Sequence, residues 1–435
     1  MLRRKVESKL IEWKERKDHK ALLVEGARQI GKSYSISKFG NENYDEFINI
    51  NFKITPDISE VFSGNLDIDT VLLGLRFRFP SYKFEEGKTL IFLDEVQECP
   101  EAITALKFFT IDGRFDVIAS GSLLGIDYKR PSSYPVGYVE YLKMYALDFE
   151  EFLWSQNIGD DMISSLRMLY DQKSKVPIAV NNNMMSNFRK YIAVGGMPEA
   201  VQRFVDSGFY EEPDRVQREL ITGYKYDIAH FAPAVEKIKA EQCYDSMSKQ
   251  LLGKENHKFQ YKVVSDGGSS RKYYSSVDWL ITADMAFKST NLSALKYNPV
   301  DYEDESNFRL YTNDVGLLIG TRDYNLKKEI IENSVTGATR GGLYECAIAD
   351  ILIKKGYKLH FYRNDQRSCE IDFVIAKDGA VVPIEVKSGN NRATSLKRIM
   401  SEDKTMEYGI KLMDGNIVVS EEGIITLPIY MAMFL

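Results

Sequence analysis

Cysteine and histidine are both scarce in this chain. Four cysteines in 435 residues, Cys99, Cys243, Cys346 and Cys369, are scattered without metal-site spacing. That points to reduced thiols in a cytoplasmic compartment and away from a zinc site. The four histidines, His230 and His257 among them, show no metal spacing either and receive no role. An export signal is also lacking: Met1-Leu2-Arg3-Arg4-Lys5 is basic, but Val6 to Lys20 is charged and amphipathic where a secretory apolar core would stand. Nor is there an excess of positive charge, since 57 Lys and Arg against 63 Asp and Glu give a net charge of −6. Bulk electrostatics therefore offers no argument for nucleic-acid binding, and only a local site could supply one. What is present is a folded composition, 44% hydrophobic and 28% charged, on a chain long enough for two or three domains. Neither a membrane class nor a disordered class is indicated.

The stretch that organises the rest is Gly26-Ala27-Arg28-Gln29-Ile30-Gly31-Lys32-Ser33, which reads G-x-x-x-x-G-K-S. The apolar run Ala21-Leu22-Leu23-Val24 before it predicts a buried parallel strand, and Tyr34 to Phe39 after it predicts the start of a helix. A loop that curls its backbone N–H groups around a phosphate needs glycine at both ends, because a Cβ would obstruct the curl. Lys32 would reach the β- and γ-phosphates, and Ser33 would place its hydroxyl on Mg²⁺, with the anion facing the positive end of the helix. The bland reading is a glycine turn with no ligand. ATP with Mg²⁺ is the expected cofactor pair.

A second decisive segment follows. Leu90-Ile91-Phe92-Leu93-Asp94-Glu95 runs four apolar residues into two carboxylates, as a buried strand does when it delivers acids beside such a loop. Asp94 would hold the Mg²⁺ shell and Glu95 would orient the attacking water. A third strand, Phe115 to Ser120, ends in Gly121-Ser122 and offers Ser120 and Ser122 as contacts to the γ-phosphate or the water, or merely as turn caps. Phe47 to Phe52 alternates as a strand, Thr55 to Phe79 reads as helical with loops, and Val6 to Lys17 as a surface helix.

The phrases Gly-Ala-Arg-Gln-Ile-Gly-Lys-Ser, Phe-Leu-Asp-Glu-Val-Gln and Ala-Ser-Gly-Ser-Leu-Leu-Gly resemble those of the widespread bacterial and archaeal AAA-type ATPases with a C-terminal restriction-endonuclease-like domain. Tyr138 to Leu153 and Val194-Gly195-Gly196-Met197-Pro198-Glu199-Ala200 are similar to further segments of that family. The family usually shows Gly-Arg where this chain has Gly137-Tyr138, so one arginine sensor or finger is missing, and Arg76, Arg78 and Arg114 have no evident place at a γ-phosphate. The resemblance implies an α/β fold in four parts: an AAA-type P-loop core with an N-terminal helix over residues 1–154, a helical connection over 155–230, a winged-helix-like domain over 231–330, and an α/β nuclease-like domain over 331–435. It also raises a homo-oligomer in which an arginine acts across subunits, with a monomer left open.

Residues 155–187 are polar and irregular, including Asn181-Asn182-Asn183, and read as an exposed connection or a loose helical insertion. Asp214 to Ala229 reads as a helix, and Ser276 to Ile281 resembles the family's recognition-type helix, followed by a strand and turn over Phe308 to Leu318. Lys249, Lys254, Lys258, Lys262, Arg271 and Lys272 make a basic neighbourhood that would suit a phosphate backbone or simply be a solvated face.

The last third carries its own constellation. Leu343 to Ile353 is apolar all round and contains Glu345, a charge that needs a reason. In Cys369 to Ala376 the alternation puts Glu370 and Asp372 on one face, and Val381 to Lys387 puts Glu385 and Lys387 on one face of an adjacent strand. Asp372, Glu385 and Lys387 fit the D…E-x-K signature of the nuclease fold, with Glu345 as an extra helix acid. Asp372 and Glu385 would bind Mg²⁺, which holds a scissile phosphate, and Lys387 would stabilise charge. The other reading is a degenerate nuclease fold kept for binding. Function is thus expected to be an ATPase whose nucleotide state gates DNA or RNA cleavage, or a non-cleaving switch that binds a protein or nucleic acid.

Overall fold

Hydrogen-bonded strands gather into two separate sheets. The computed structural model describes residues 2–122, 135–253, 257–389, 393–403 and 406–435. Its chain divides into two units, residues 3–146 with 282–284, and residues 147–281 with 285–435.

The first unit contains β1 (Ala21–Glu25), β2 (Glu46–Asn51), β3 (Thr89–Asp94), β4 (Asp116–Gly121) and β5 (Val139–Lys143). They lie in the order β2-β3-β4-β1-β5, and every pairing is parallel. Leu22 to Val24, Leu90 to Leu93 and Val117 to Ala119 are buried without a break, as strands covered on both faces must be. β5, at the edge, is buried only at Val139 and beyond it alternates half-buried and exposed positions. The helices Lys32–Asn43, Ile68–Arg78 and Pro100–Asp112 connect the strands. Asp67 caps the second of these by accepting from the Thr70 N–H at 3.2 Å. A parallel sheet brings all its C-terminal strand ends to one edge, and here the register sets Asp94 beside both Asn51 and Ser120.

The second unit begins with helices. The stretch read as an exposed connection or a loose helical insertion is two regular helices, Asp160–Asp171 and Ile178–Val194, and the latter runs straight through Asn181-Asn182-Asn183. Met184, Met185, Phe188, Tyr191 and Ile192 are buried along it. Packing of that face outweighs the poor helix propensity of three asparagines. Helices Pro198–Ser207, Glu211–Phe231, Lys237–Leu252 and Ser270–Thr282 follow, the last covering the expected recognition-type segment. Lys254, of the basic neighbourhood, and the Leu-Leu-Gly end of the third family phrase lie outside the described residues.

The eight-stranded sheet contains β6 (Ala286–Leu292), β7 (Glu303–Thr312), β8 (His360–Asn364), β9 (Cys369–Lys377), β10 (Ala380–Lys387), β11 (Gly409–Met413), β12 (Val418–Val419) and β13 (Ile424–Pro428). Their order is β12-β13-β11-β10-β9-β8-β6-β7. β6 pairs with β8 through Thr290 and His360, so one sheet takes strands from both sides of residue 330. The helix Gly337–Lys354 buries Leu343, Cys346, Ala347, Ile348, Ile351 and Leu352, as its unbroken apolar sequence requires.

Candidate functional site

At the C-terminal edge of the parallel sheet, β1 runs into the glycine loop and the helix Lys32–Asn43 starts at the loop's end. Gly31, at φ 89°, is the N-cap residue in the left-handed region. At Gly26, with φ 149°, an added Cβ would stand 2.2 Å from the Met144 carbonyl oxygen, so the loop lies too close to the chain after β5 for any side chain. Arg4 is buried and donates to the Ile30 carbonyl at 2.9 Å and the Tyr145 carbonyl at 2.7 Å, tying the loop to the same segment. Ala27 and Ile30 are buried, Arg28 half-buried, and Gln29 and Tyr34 exposed. Lys32 is buried and folds back to donate to the carbonyls of Gly26 at 2.9 Å and Ala27 at 2.7 Å. Burial pulls its amine down to about 8, against the opposing pull of Glu95 and Asp94.

Asp94 is the centre of the polar group. It accepts from the hydroxyls of Ser33 at 3.0 Å and Ser120 at 2.6 Å, the side-chain amide of Asn51 at 2.9 Å, and the backbone N–H of Glu95 at 3.1 Å. Glu95 follows the strand in the left-handed region, at φ 56°, and receives a hydrogen bond from the Gln97 amide. Ser122 is buried just beyond β4. Arg114 stands before the start of β4, at the far edge of the sheet, bound to Asp112 and Asp69 at 2.6 Å each, and Arg78 pairs with Asp57. Arg76 lies over the Phe84 ring at 5.9 Å, and Tyr138 lies under the Lys107 amine at 5.0 Å.

The second acidic group lies in the other unit. Glu345 on the helix Gly337–Lys354 accepts at Oε1 from Arg309 at 2.6 Å and from the Tyr311 hydroxyl, and its Oε2 meets His257 Nδ1. Burial opposes its ionisation, yet Arg309 and His257 hold its carboxyl down at about 2. Arg309 also pairs with Glu370 and lies 3.9 Å from Asp372 Oδ1. Ile384 pairs with Phe373 across β9 and β10, which sets Glu385 alongside Asp372. Asp372 Oδ2 accepts from the Val386 N–H at 2.7 Å, while Glu385 meets the Lys387 amine at 2.6 Å and accepts from the Leu396 N–H at 3.4 Å. Burial, and then the charge of Glu345, push the Asp372 carboxyl up to about 7, although Arg309 pulls the other way.

Residues 18–153 match the family model described as an AAA domain. They are a P-loop, AAA-type nucleotide-binding domain. Residues 185–325 and 340–431 match two families described only as domains of unknown function, DUF8612 and DUF4143. No curated protein matches the chain. Among solved structures it is similar to the Orc1 protein of Aeropyrum pernix in complex with DNA, at 11% identity over 77% of this chain and 93% of that one, with a TM-score of 0.32. It is also similar to AMPPCP-bound DnaA from Aquifex aeolicus, at 12% identity over 64% and 86% of the two chains, with a TM-score of 0.29. The assignment of residues 18–153 rests on the family model and the loop.

The residues expected from the sequence thus fall into two groups. Gly26 to Ser33, Asp94, Glu95 and Ser120 share one sheet edge; Glu345, Asp372, Glu385 and Lys387 share one helix-and-sheet face. Ser120 turns its hydroxyl to Asp94, where it fixes the carboxylate. Four further residues had been given no role: Asn51, Gln97, Arg309 and His257. Alternation along β2 placed Asn51 in a strand, but only the pairing of β2 with β3 puts it on Asp94. The first group offers a cation a carboxylate held by neutral donors, and offers a phosphate a loop of backbone N–H groups beside an amine. No helix among the described residues is long and apolar enough to cross a membrane.

Proposed function

We propose that the protein is an ATP-binding, Mg²⁺-dependent ATPase acting as a nucleotide-controlled switch. The observation that carries this reading is the convergence of Ser33, Asn51 and Ser120 on Asp94, directly before Glu95 and beside the glycine loop. The loop from Gly26 to Ser33 would cradle the phosphates of ATP or ADP, and Lys32 would exchange its two carbonyl partners for phosphate oxygens. Ser33 and Asp94 would hold Mg²⁺, which when bound neutralises phosphate charge. Glu95 would orient water for attack on the γ-phosphate and take its proton, with Gln97 holding the carboxylate.

The winged-helix-like middle and the restriction-endonuclease-like C-terminal region are, in this reading, the parts that meet a protein or nucleic-acid partner in the cytoplasm. Tyr138 stands where the resembling family has an arginine, in every copy of the chain, so a homo-oligomer would need another arginine at the γ-phosphate, and a monomer stays open. Gated cleavage by Glu345, Asp372, Glu385 and Lys387 is the other reading. The pairing of three of the region's acids, Glu345, Glu370 and Asp372, with one buried arginine favours the non-cleaving switch.

Phosphate release should be followed with Mg²⁺ for wild type and Lys32→Ala, with and without DNA and RNA, and the nucleic acid from the same tubes run on a gel. Turnover that disappears in Lys32→Ala, with intact nucleic acid, is the expected result. A chain that neither binds nor hydrolyses ATP would overturn the ATPase reading, and nicking that needs Asp372 would restore the cleaving one.

A further inference from the structure

The acid face expected to hold Mg²⁺ is built around an arginine. Arg309 comes from β7 and is 1% exposed. Its Nη1 lies 2.6 Å from Glu345 Oε1 and 3.9 Å from Asp372 Oδ1, its Nη2 binds Glu370, and its guanidinium carbon stands 4.3 Å from the centroid of the Phe361 ring. A planar fork suits this position, because it can address carboxylates on two elements at once where a lysine would reach one.

A hard divalent ion needs several oxygens turned towards one point. Here those oxygens have other partners. Glu345 spends both on Arg309, Tyr311 and His257, Asp372 spends Oδ2 on the Val386 N–H, and Glu385 is paired with Lys387. Among the described residues, no group of three or more His, Cys, Asp or Glu side chains is arranged to hold a metal ion. An ion added there would also sit against the positive charge of the buried Arg309.

We infer that Arg309 takes the place of a divalent cation in the C-terminal unit, so that Glu345, Glu370 and Asp372 form an internal ion-pair core and bind no metal. The core has a mechanical consequence. Arg309 on β7 reaches acids on β9, although β6 and β8 lie between those strands in the sheet, and it ties both to the helix Gly337–Lys354. Arg309 with Glu345 and Glu370 is thereby a device for holding three elements together, and the region serves as a cation-independent binding or scaffold module. This inference does not rest on the ATPase reading.

The test uses the full chain carrying Asp94→Ala, which removes the metal ligand of the nucleotide site, without nucleotide. Mn²⁺ is titrated in and free Mn²⁺ is followed by electron paramagnetic resonance. The expected result is a free-ion signal equal to that of buffer at micromolar to low-millimolar Mn²⁺, unchanged when Asp372→Asn is added. One bound Mn²⁺ per chain that is lost with Asp372→Asn would overturn the inference. Arg309→Met and Arg309→Lys give a second readout: the thermal midpoint should fall most in Arg309→Met and less in Arg309→Lys, and an Arg309→Met midpoint equal to wild type overturns the ion-pair core. Should Arg309→Met fail to fold, the Mn²⁺ measurement still decides.

Discussion

Two acidic groups of this protein, one at the end of an apolar strand and one shared by a helix and a strand, differ in what satisfies them. Asp94 is held by two hydroxyls, an amide and a backbone N–H, all neutral, so its negative charge is oriented but not cancelled. Glu345 and Glu370 face Arg309, with His257 added on Glu345, so their charge is met from within the fold, while Asp372, 3.9 Å from the guanidinium, has its carboxyl pushed up to about 7 by burial and by Glu345. Neutral donors hold a carboxylate ready for an incoming cation, whereas a buried guanidinium satisfies it permanently. Residue type is the same in the two places; the partner decides whether the acids serve chemistry or cohesion.

The comparison breaks most visibly at the nucleotide site. Lys32→Ala should lower ATP turnover on the order of 10²- to 10³-fold by removing the cation that meets the phosphates. Glu95→Gln should cost roughly 10²- to 10⁴-fold in turnover while leaving nucleotide binding near wild type, because it removes only the base. Steady-state phosphate release together with a fluorescent-nucleotide titration reads both. Equal turnover in Glu95→Gln and wild type would remove Glu95 from the mechanism.

At the other site the loss should appear in stability instead. Arg309→Met leaves buried carboxylates without their cation and is expected to cost about 3–5 kcal/mol in the second unit. The check is a urea unfolding curve that follows that unit by hydrogen exchange, with ATP turnover measured alongside. Turnover that collapses while the unfolding curve stays in place would reverse the assignment of the two sites.

The contrast also explains what could be read from the sequence. The loop from Gly26 to Ser33 was legible because its chemistry is contiguous, and Asp94 and Glu95 because an apolar strand ends on them. The alternation of Glu370 and Asp372 was legible because a strand has period two. Arg309 and His257 were not, since they lie 36 and 88 residues from Glu345 and only tertiary packing around the helix Gly337–Lys354 brings them there. The regularity of the helix Ile178–Val194 ahead of Phe188 was not legible for a related reason, because its buried face overrides three asparagines that locally favour a turn. A tertiary partner leaves no local signature, and the partner is what separates the two acidic groups.

A smaller effect sharpens the role of neutral donors. Asn51→Ala should weaken Mg²⁺-dependent nucleotide binding about 10- to 100-fold, the usual cost of losing a group that orients a metal-binding carboxylate. Calorimetric titration of nucleotide with and without Mg²⁺ checks it, and the loss should be confined to the titration with Mg²⁺. A loss of the same size in its absence would mean that Asn51 shapes the loop and does not act through Asp94.

The smallest effect separates the two cations by pH. Burial lowers the Lys32 amine to about 8, whereas the surrounding acids carry the Arg309 guanidinium still further above its ordinary range in spite of burial. A phosphate prefers the charged amine, so binding at Lys32 favours the protonated form and weakens as pH rises through about 8, by at most about tenfold per pH unit. The sign is opposite for folding: the depressed amine binds fewer protons folded than unfolded, so its burial costs stability below about pH 8, and that cost fades as pH climbs towards the ordinary lysine value. Nucleotide affinity measured from pH 7 to 9.5 should therefore fall in wild type and stay flat in Lys32→Ala, while the unfolding of the second unit shows no matching step that depends on Arg309. A wild-type affinity that is level across this range would mean that the bound phosphate is met by a cation other than Lys32.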